Sequence, residues 1–285
     1  MRIDAHSHGI HAERDARGVL RLPITVGWKP ADGAPDELIR QHRARGVEQA
    51  VVLDPPEFTF ELQRLFGDFV IPVPHIRMDE SGPEEIHKLC DRGARGIKFI
   101  APLHSYGDER YFPLYRALRD RNAPAIFHTG YLCHEMFEPG YILERPACID
   151  MTNMRPAAVD RVARAFPELK ILMAHFGNPW WDETWELLHC NKNMYADFSG
   201  GSAFLKSMTM WREMFAPNGA LHVPTVKKLC FASDDTHFFK DSFNYVKIID
   251  FYERLYAELK LPGELREIID RENILMLLDP RRTRL

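Results

Sequence analysis

Two histidines one residue apart, His6 and His8, end the first apolar run, Ile3-Asp4-Ala5-His6-Ser7-His8. Residues two apart on a strand point to the same face, so both imidazoles can grip one metal ion. Later apolar runs also carry or end on polar residues. Lys98 lies in Arg95-Gly96-Ile97-Lys98-Phe99. His128 ends Ala125-Ile126-Phe127-His128, His175 ends Ile171-Leu172-Met173-Ala174-His175, and Asp234 ends Cys230-Phe231-Ala232-Ser233-Asp234. Three neutral imidazoles and a carboxylate suit zinc or another divalent transition metal. Such an ion lowers the pKa of its water toward about 7, and a nearby carboxylate can shuttle the proton.

These residues need a scaffold that brings strand ends together. Apolar runs of strand length occur at residues 2–5, 49–53, 70–75, 96–100, 123–127, 170–174, 193–198 and 229–232. Continuous runs of this kind suit parallel strands covered by helices. Helical patterns follow them at residues 36–45, 57–66, 83–92, 112–121, 154–166, 180–190, 203–215, 241–259 and 264–278. Eight β-then-α units predict an α/β fold of the (β/α)8 TIM-barrel type, one domain over residues 1–285. A doubly wound open sheet would want a glycine-rich phosphate turn after its first strand, and here that turn reads His-Ser-His-Gly-Ile-His. In a barrel the singled-out residues gather at the C-terminal mouth. The long connections 9–35 and 131–153 become loops over that mouth.

Composition excludes several classes. The net charge of −4 leaves no electrostatic footprint for nucleic acid or an anionic membrane. No apolar run is long enough to span a bilayer, and the motif begins too close to Met1 for a signal peptide. The five cysteines, Cys90, Cys133, Cys148, Cys190 and Cys230, form no C-x-x-C pair. An odd, unpaired set argues for a reducing, cytoplasmic compartment. Cys90 and Cys230 read as core, while Cys133 stands near the mouth.

Taken in order, IDAHSH, GIKF, FHTG, AHFGNPW, YADFSG, FASDD and the closing Glu272-Asn273-Ile274-Leu275 resemble the amidohydrolase superfamily, in its amidohydrolase-related branch. The resemblance spans essentially the whole chain. It implies that His6, His8, His128 and Asp234 are metal ligands and that Asp234 is also the general base or acid. It implies that His175 either polarises the reacting carbonyl or binds a second metal. Lys98 matches a position that some members carboxylate to bridge two metals, and is otherwise a substrate-binding cation. One or two divalent ions, zinc first, are expected. The implied activity is hydrolysis of an ester, lactone or amide carbonyl of a small molecule. The alternative within the branch is decarboxylation of an aromatic or unsaturated acid. A non-catalytic metal-binding barrel is the reading from a different class.

Other residues carry competing readings. Asp235 replaces Asp234 if the register slips by one. Asp4 shares the face of His6 and His8 and can orient a ligand. His11, His104, His134 and His237 read as ordinary loop residues that could touch substrate. His42, His87, His189 and His222 carry no signal. Trp180-Trp181 is either an aromatic wall or the packed start of a helix, with packing favoured for one of the two. The charged residues of 241–260 read as a solvated helix face. Lys98, Arg110 and Arg145 permit an anionic substrate. Homo-oligomers are common for this architecture, but no surface stripe marks an interface.

Overall fold

Apolar, β-branched runs such as Val47-Glu48-Gln49-Ala50-Val51-Val52 become strands because they suit a pleated surface buried on both sides. The computed structural model describes residues 1–9, 13–14, 20–21, 33–132, 149–200, 202–238 and 245–279. His11, Cys133, His134, Arg145 and Cys148 lie outside the described residues. Apart from a short antiparallel pair, Glu13–Arg14 with Leu20–Arg21, the strands are β1 (Arg2–His8), β2 (Val47–Val52), β3 (Val70–Pro72, resuming at His75–Ile76), β4 (Ile97–Phe99), β5 (Ala125–His128), β6 (Ile171–Ala174), β7 (Met194–Asp197) and β8 (Leu229–Cys230, resuming at Asp235–Thr236). Each of β1 to β8 overlaps one of the eight apolar runs, and β1 and β8 extend beyond theirs.

Every neighbouring pair in this series is parallel. The series closes on itself. On one side the Ala5 amide donates to the Phe231 carbonyl at 3.0 Å and the Asp234 amide to the His6 carbonyl at 2.8 Å. On the other, the amides of Val73 and His75 donate to Val52 and Asp54, and the Lys98 amide donates to Pro74. The result is the expected (β/α)8 barrel.

Helices alternate with the strands: α1 (Pro35–Ala44), α2 (Pro56–Phe66), α3 (Pro83–Asp91), α4 (Phe112–Asp120), α5 (Pro156–Ala165), α6 (Trp181–Cys190), α7 (Met208–Phe215), α8 (Val223–Val226) and α9 (Val246–Glu258). Proline stands first or second in each of α1 to α5, where its missing N–H costs nothing and its fixed φ is already helical. This corrects one boundary. The helix expected from Met154 starts at Pro156, because proline holds the residue before it, Arg155, in the extended region. The helix expected over 203–215 is broken. Ala203–Leu205 is a single tight turn, and Ser207 then caps α7 by accepting from the Met210 amide. The short α8 lacks a periodic signature and was not expected. Of the helix expected over 241–259, the described part begins at Val246.

The barrel interior holds Ile3, Ala5, Val51, Leu53, Val73, Ile126, Leu172, Cys230 and Ala232, packed with Ile274, Met276, Leu277 and Leu278. These last four belong to α11 (Asn273–Leu278), which follows α10 (Gly263–Glu267) and one wider turn, Ile268–Glu272. The Asn273 side-chain amide donates to the carbonyls of Lys227 and Leu229 at 2.8 and 2.7 Å. It thereby fastens that plug beneath β8. A larger apolar layer, centred on buried aromatics such as Phe127, Tyr115, Phe176 and Trp211, lies between sheet and helices. Among the described residues, no helix is long and apolar enough to cross a membrane.

Candidate metal centre and active site

Strand ends supply the site. A cavity of about 550 Å³, its open mouth included, is lined among the described residues by His6 and His8 (β1), Lys98 (β4), His128 (β5), His175 (after β6) and Asp234 (within the β8 strand region). All six residues picked out from the sequence therefore meet in one place. Leu53, Asp54, His75, Ile100 and Leu132 complete the lining.

At the floor, Asp234 Oδ1 is 3.1 Å from His6 Nε2 and 3.2 Å from His8 Nε2. Ligand atoms of His6, His175 and Asp234 all lie within 4.8 Å of one another. His128 joins through its Nδ1, 3.0 Å from His175 Nε2. Lys98 Nζ is 3.5 Å from His6 Nε2. Asp235, the register alternative, instead pairs with Ser7 in the sheet.

The far nitrogens of His6, His8 and His175 are committed. The Ser199 hydroxyl donates to Asp197, so its oxygen accepts from His6 Nδ1–H at 2.9 Å. His8 Nδ1–H donates to Asp54 at 2.9 Å, and Asp54 also takes the Gly9 amide. His175 Nδ1–H donates to the Ser199 carbonyl at 2.6 Å. This pattern leaves the Nε2 lone pairs of His6, His8 and His175 turned toward the site. His128 can then donate from Nδ1 to His175, and its own Nε2 is buried with no partner among the described residues.

Two imidazole lone pairs facing one carboxylate oxygen repel unless a positive charge lies between them. The His8 imidazole shows the pull. Burial lowers its pKa, but Asp54 and Asp234 outweigh burial and raise it to about 10. Burial and the neighbouring His175 and Lys98 push His128 well below the ordinary histidine value. Burial takes His175 down to about 4, with His6 and Lys98 adding to it. Both are held neutral, the form that binds metal. Burial alone would raise Asp234, but His6 and His175 hold it well below the ordinary carboxylate range. Burial lowers Lys98 to about 8 against the pull of Asp197 and Asp234. Neutral His128 and His175 beside the Asp234 carboxylate, with the His128 Nε2 unpartnered among the described residues, fit a divalent transition metal.

The backbone is bent to reach this arrangement. His175 and Phe176 adopt left-handed φ values of 64° and 48°, and Asp234 one of 61°. The first two turn His175 into the cavity and stack Phe176 on Phe198 at 4.6 Å. Beside Asp234, Gly200 has φ 52°, and a Cβ there would stand 2.0 Å from Asp234 Oδ2.

Sequence reasoning missed Asp54, His75, Asp197 and Ser199. Asp54 and His75 had a usable signal, since each ends or directly follows an apolar run, as His128 does. Asp197 and Ser199 sat in the quoted YADFSG strand without an assigned role. His237, read as a loop residue, is instead fully buried and bonded to Asp4, and His42 is fully buried too. Arg110 pairs with Asp108 at 3.0 Å and does not line the cavity. Of the two tryptophans, Trp181 packs on Trp211, while Trp180 stacks on the exposed Tyr131.

Solved structures share this fold. An uncharacterised TIM-barrel protein from Bordetella bronchiseptica superposes with a TM-score of 0.64 at 18% identity, over 98% of each chain. A probable 2-pyrone-4,6-dicarboxylic acid hydrolase from Acinetobacter baumannii gives 0.60 at 14% identity, over 97% of this chain and 98% of that one. A 5-carboxyvanillate decarboxylase from Novosphingobium aromaticivorans, complexed with manganese, gives 0.57 at 15% identity, over 85% and 79%. No curated protein matches the chain in sequence. A family profile described as Amidohydrolase matches residues 3–237, from the first strand past the last site residue. On that match, and on a barrel whose mouth gathers the residues the family motifs single out, the chain belongs to the Amidohydrolase family.

Proposed function

We propose that the protein is a metal-dependent hydrolase acting on an ester, lactone or amide carbonyl of a small molecule. The observation that carries this reading is the placement of Asp234 Oδ1 within 3.2 Å of the Nε2 atoms of both His6 and His8, on the floor of a lined cavity. His6, His8, His128 and Asp234 would hold a divalent ion, zinc first. His175 adds a further ligand or holds His128 in place. Its Nδ1–H is spent on Ser199, which favours these roles over donation to substrate. When bound, the ion supplies Lewis acidity that lets water ionise near neutral pH.

The chain's own residues do the rest. Asp234 accepts the proton of the attacking water at its carboxylate and returns it to the leaving group. Lys98 offers an N–H to the substrate oxygen as it gains charge. Leu53, Ile100 and Leu132 form an apolar wall that excludes water and takes the body of the substrate.

The test couples metal analysis of the purified protein to a screen of lactones, esters, amides and carboxylic acids. Acid release from a neutral acyl compound, dependent on a divalent metal, supports the proposal. Carbon dioxide release without any acyl hydrolysis overturns it in favour of a lyase. Full turnover by the metal-free protein removes the metal from the reading.

A further inference from the structure

Asp4 and His237 are fully buried, and neither is among the residues lining the cavity. Yet the Asp4 carboxylate is wired to both halves of the centre. Its Oδ1 accepts the main-chain amides of His6 at 3.1 Å and Ser233 at 2.9 Å. Its Oδ2 accepts the Ser233 hydroxyl and His237 Nε2–H, the latter at 2.8 Å. One side chain therefore grips the residue that bears an imidazole ligand and the residue just before Asp234. The Asp234 amide returns a bond to the His6 carbonyl at 2.8 Å, so the two ligands sit on a small closed loop of hydrogen bonds.

His237 is itself held. Its ring meets Tyr245 at 4.6 Å and His42 at 4.9 Å between centroids, with Phe69 at 6.2 Å. Its carbonyl accepts from His42 Nε2, and His42 Nδ1 lies 2.8 Å from the Tyr245 hydroxyl. An anion buried this deeply is a poor way to gain stability, since apolar residues of the same volume usually do as well. Nor does barrel closure require it, because Ala5 and Phe231 join the same two strands with an ordinary main-chain bond. What a carboxylate with four directed donors provides is position.

We infer that Asp4, held by His237, is the positioning residue that sets the separation of His6 and Asp234 and thereby the affinity of the centre for a divalent cation. The inference rests on the metal reading proposed above. It assigns His237 a role through Asp4, with no contact to substrate. It also explains why an imidazole and not an apolar ring fills the aromatic box formed by His42, Phe69 and Tyr245.

The test measures zinc affinity of the full chain, stripped of metal, by competition with a chromophoric chelator, alongside the thermal midpoint of the metal-free form. Asp4→Asn keeps one acceptor but opposes an amide N–H to the donor of His237. It should weaken zinc binding by about 10- to 100-fold. His237→Phe should weaken binding in the same direction, and His237→Gln, which retains an N–H donor, should restore it. A purely structural role would lower the midpoint of His237→Phe and leave its zinc affinity unchanged, which overturns the inference. Wild-type affinity in Asp4→Asn overturns it as well. Should Asp4→Asn not fold, the contrast between His237→Phe and His237→Gln decides, and equal weakness in both counts against Asp4 and His237. Failure of the wild-type chain to bind zinc overturns the metal reading and this inference together.

Discussion

His6, His8 and His175 each have one nitrogen fixed so that the other faces the cavity floor. Asp54 does this for His8, Ser199 for His6 and the Ser199 carbonyl for His175. Removing such a partner leaves the ligand present but unoriented, which typically weakens metal binding 10- to 100-fold. Asp54→Leu is therefore expected to weaken metal affinity by about that factor with the barrel intact, as read by metal titration beside circular dichroism. Asp234→Asn should be worse for turnover, roughly 10²- to 10⁴-fold in kcat, because the proposed base itself is lost. Retention of wild-type kcat would remove Asp234 from the mechanism. The six cavity residues were legible because His, Lys and Asp on apolar strands are conspicuous. Their supports were less so. Ser199 acts through its oxygens from a position that reads like any small turn residue, and His237 is brought to Asp4 only by closure of the barrel.

Turns at the strand ends decide where the side chains point. The left-handed His175 and Phe176, and Gly200 beside Asp234, are conformations that non-glycine residues adopt at a cost of about 1–3 kcal/mol each. Gly200→Ala would add that strain and press a methyl onto the carboxylate of Asp234. A displacement near 1 Å can cost about 100-fold in rate, so activity should fall by roughly that much. The thermal midpoint should move by only a few degrees. A rate unchanged in Gly200→Ala would show that Asp234 tolerates movement. All eight barrel strands and the main helices were readable from apolar runs and helical spacing. The turns were not, because no periodicity marks a left-handed residue such as His175, whose backbone is set by packing of Phe176 on Phe198.

For the whole molecule, buried neutral histidines tie stability to pH. His42 is driven by burial, with His237 and Arg45 adding to it and the His237 carbonyl opposing, from 6.5 down to about 3. Below pH 6.5 the unfolded chain takes up a proton that the folded chain refuses. This group therefore lowers stability as pH falls from about 6.5 toward 3, by up to ~1.4 kcal/mol per pH unit, and contributes nothing to the slope above it. His42→Gln should flatten the pH dependence of urea unfolding in that window. An identical slope would mean that His42 is charged in the fold. Bound metal should act on the same scale, raising the thermal midpoint in proportion to the logarithm of its concentration over its Kd.

The joining of β1 to β8 has a consequence for how the protein is made. Asp4 and Ser233, which meet across that seam, are 229 residues apart. A ribosome adding about 5–20 residues per second separates their synthesis by roughly ten to fifty seconds. Through that interval the N-terminal strand stands on an unpaired edge with its apolar inward face uncovered. The plug of Ile274, Met276, Leu277 and Leu278 has yet to appear. The nascent chain thus carries a sticky edge for most of its translation, and its yield in a cell should depend on the chaperones that guard such edges until the barrel shuts.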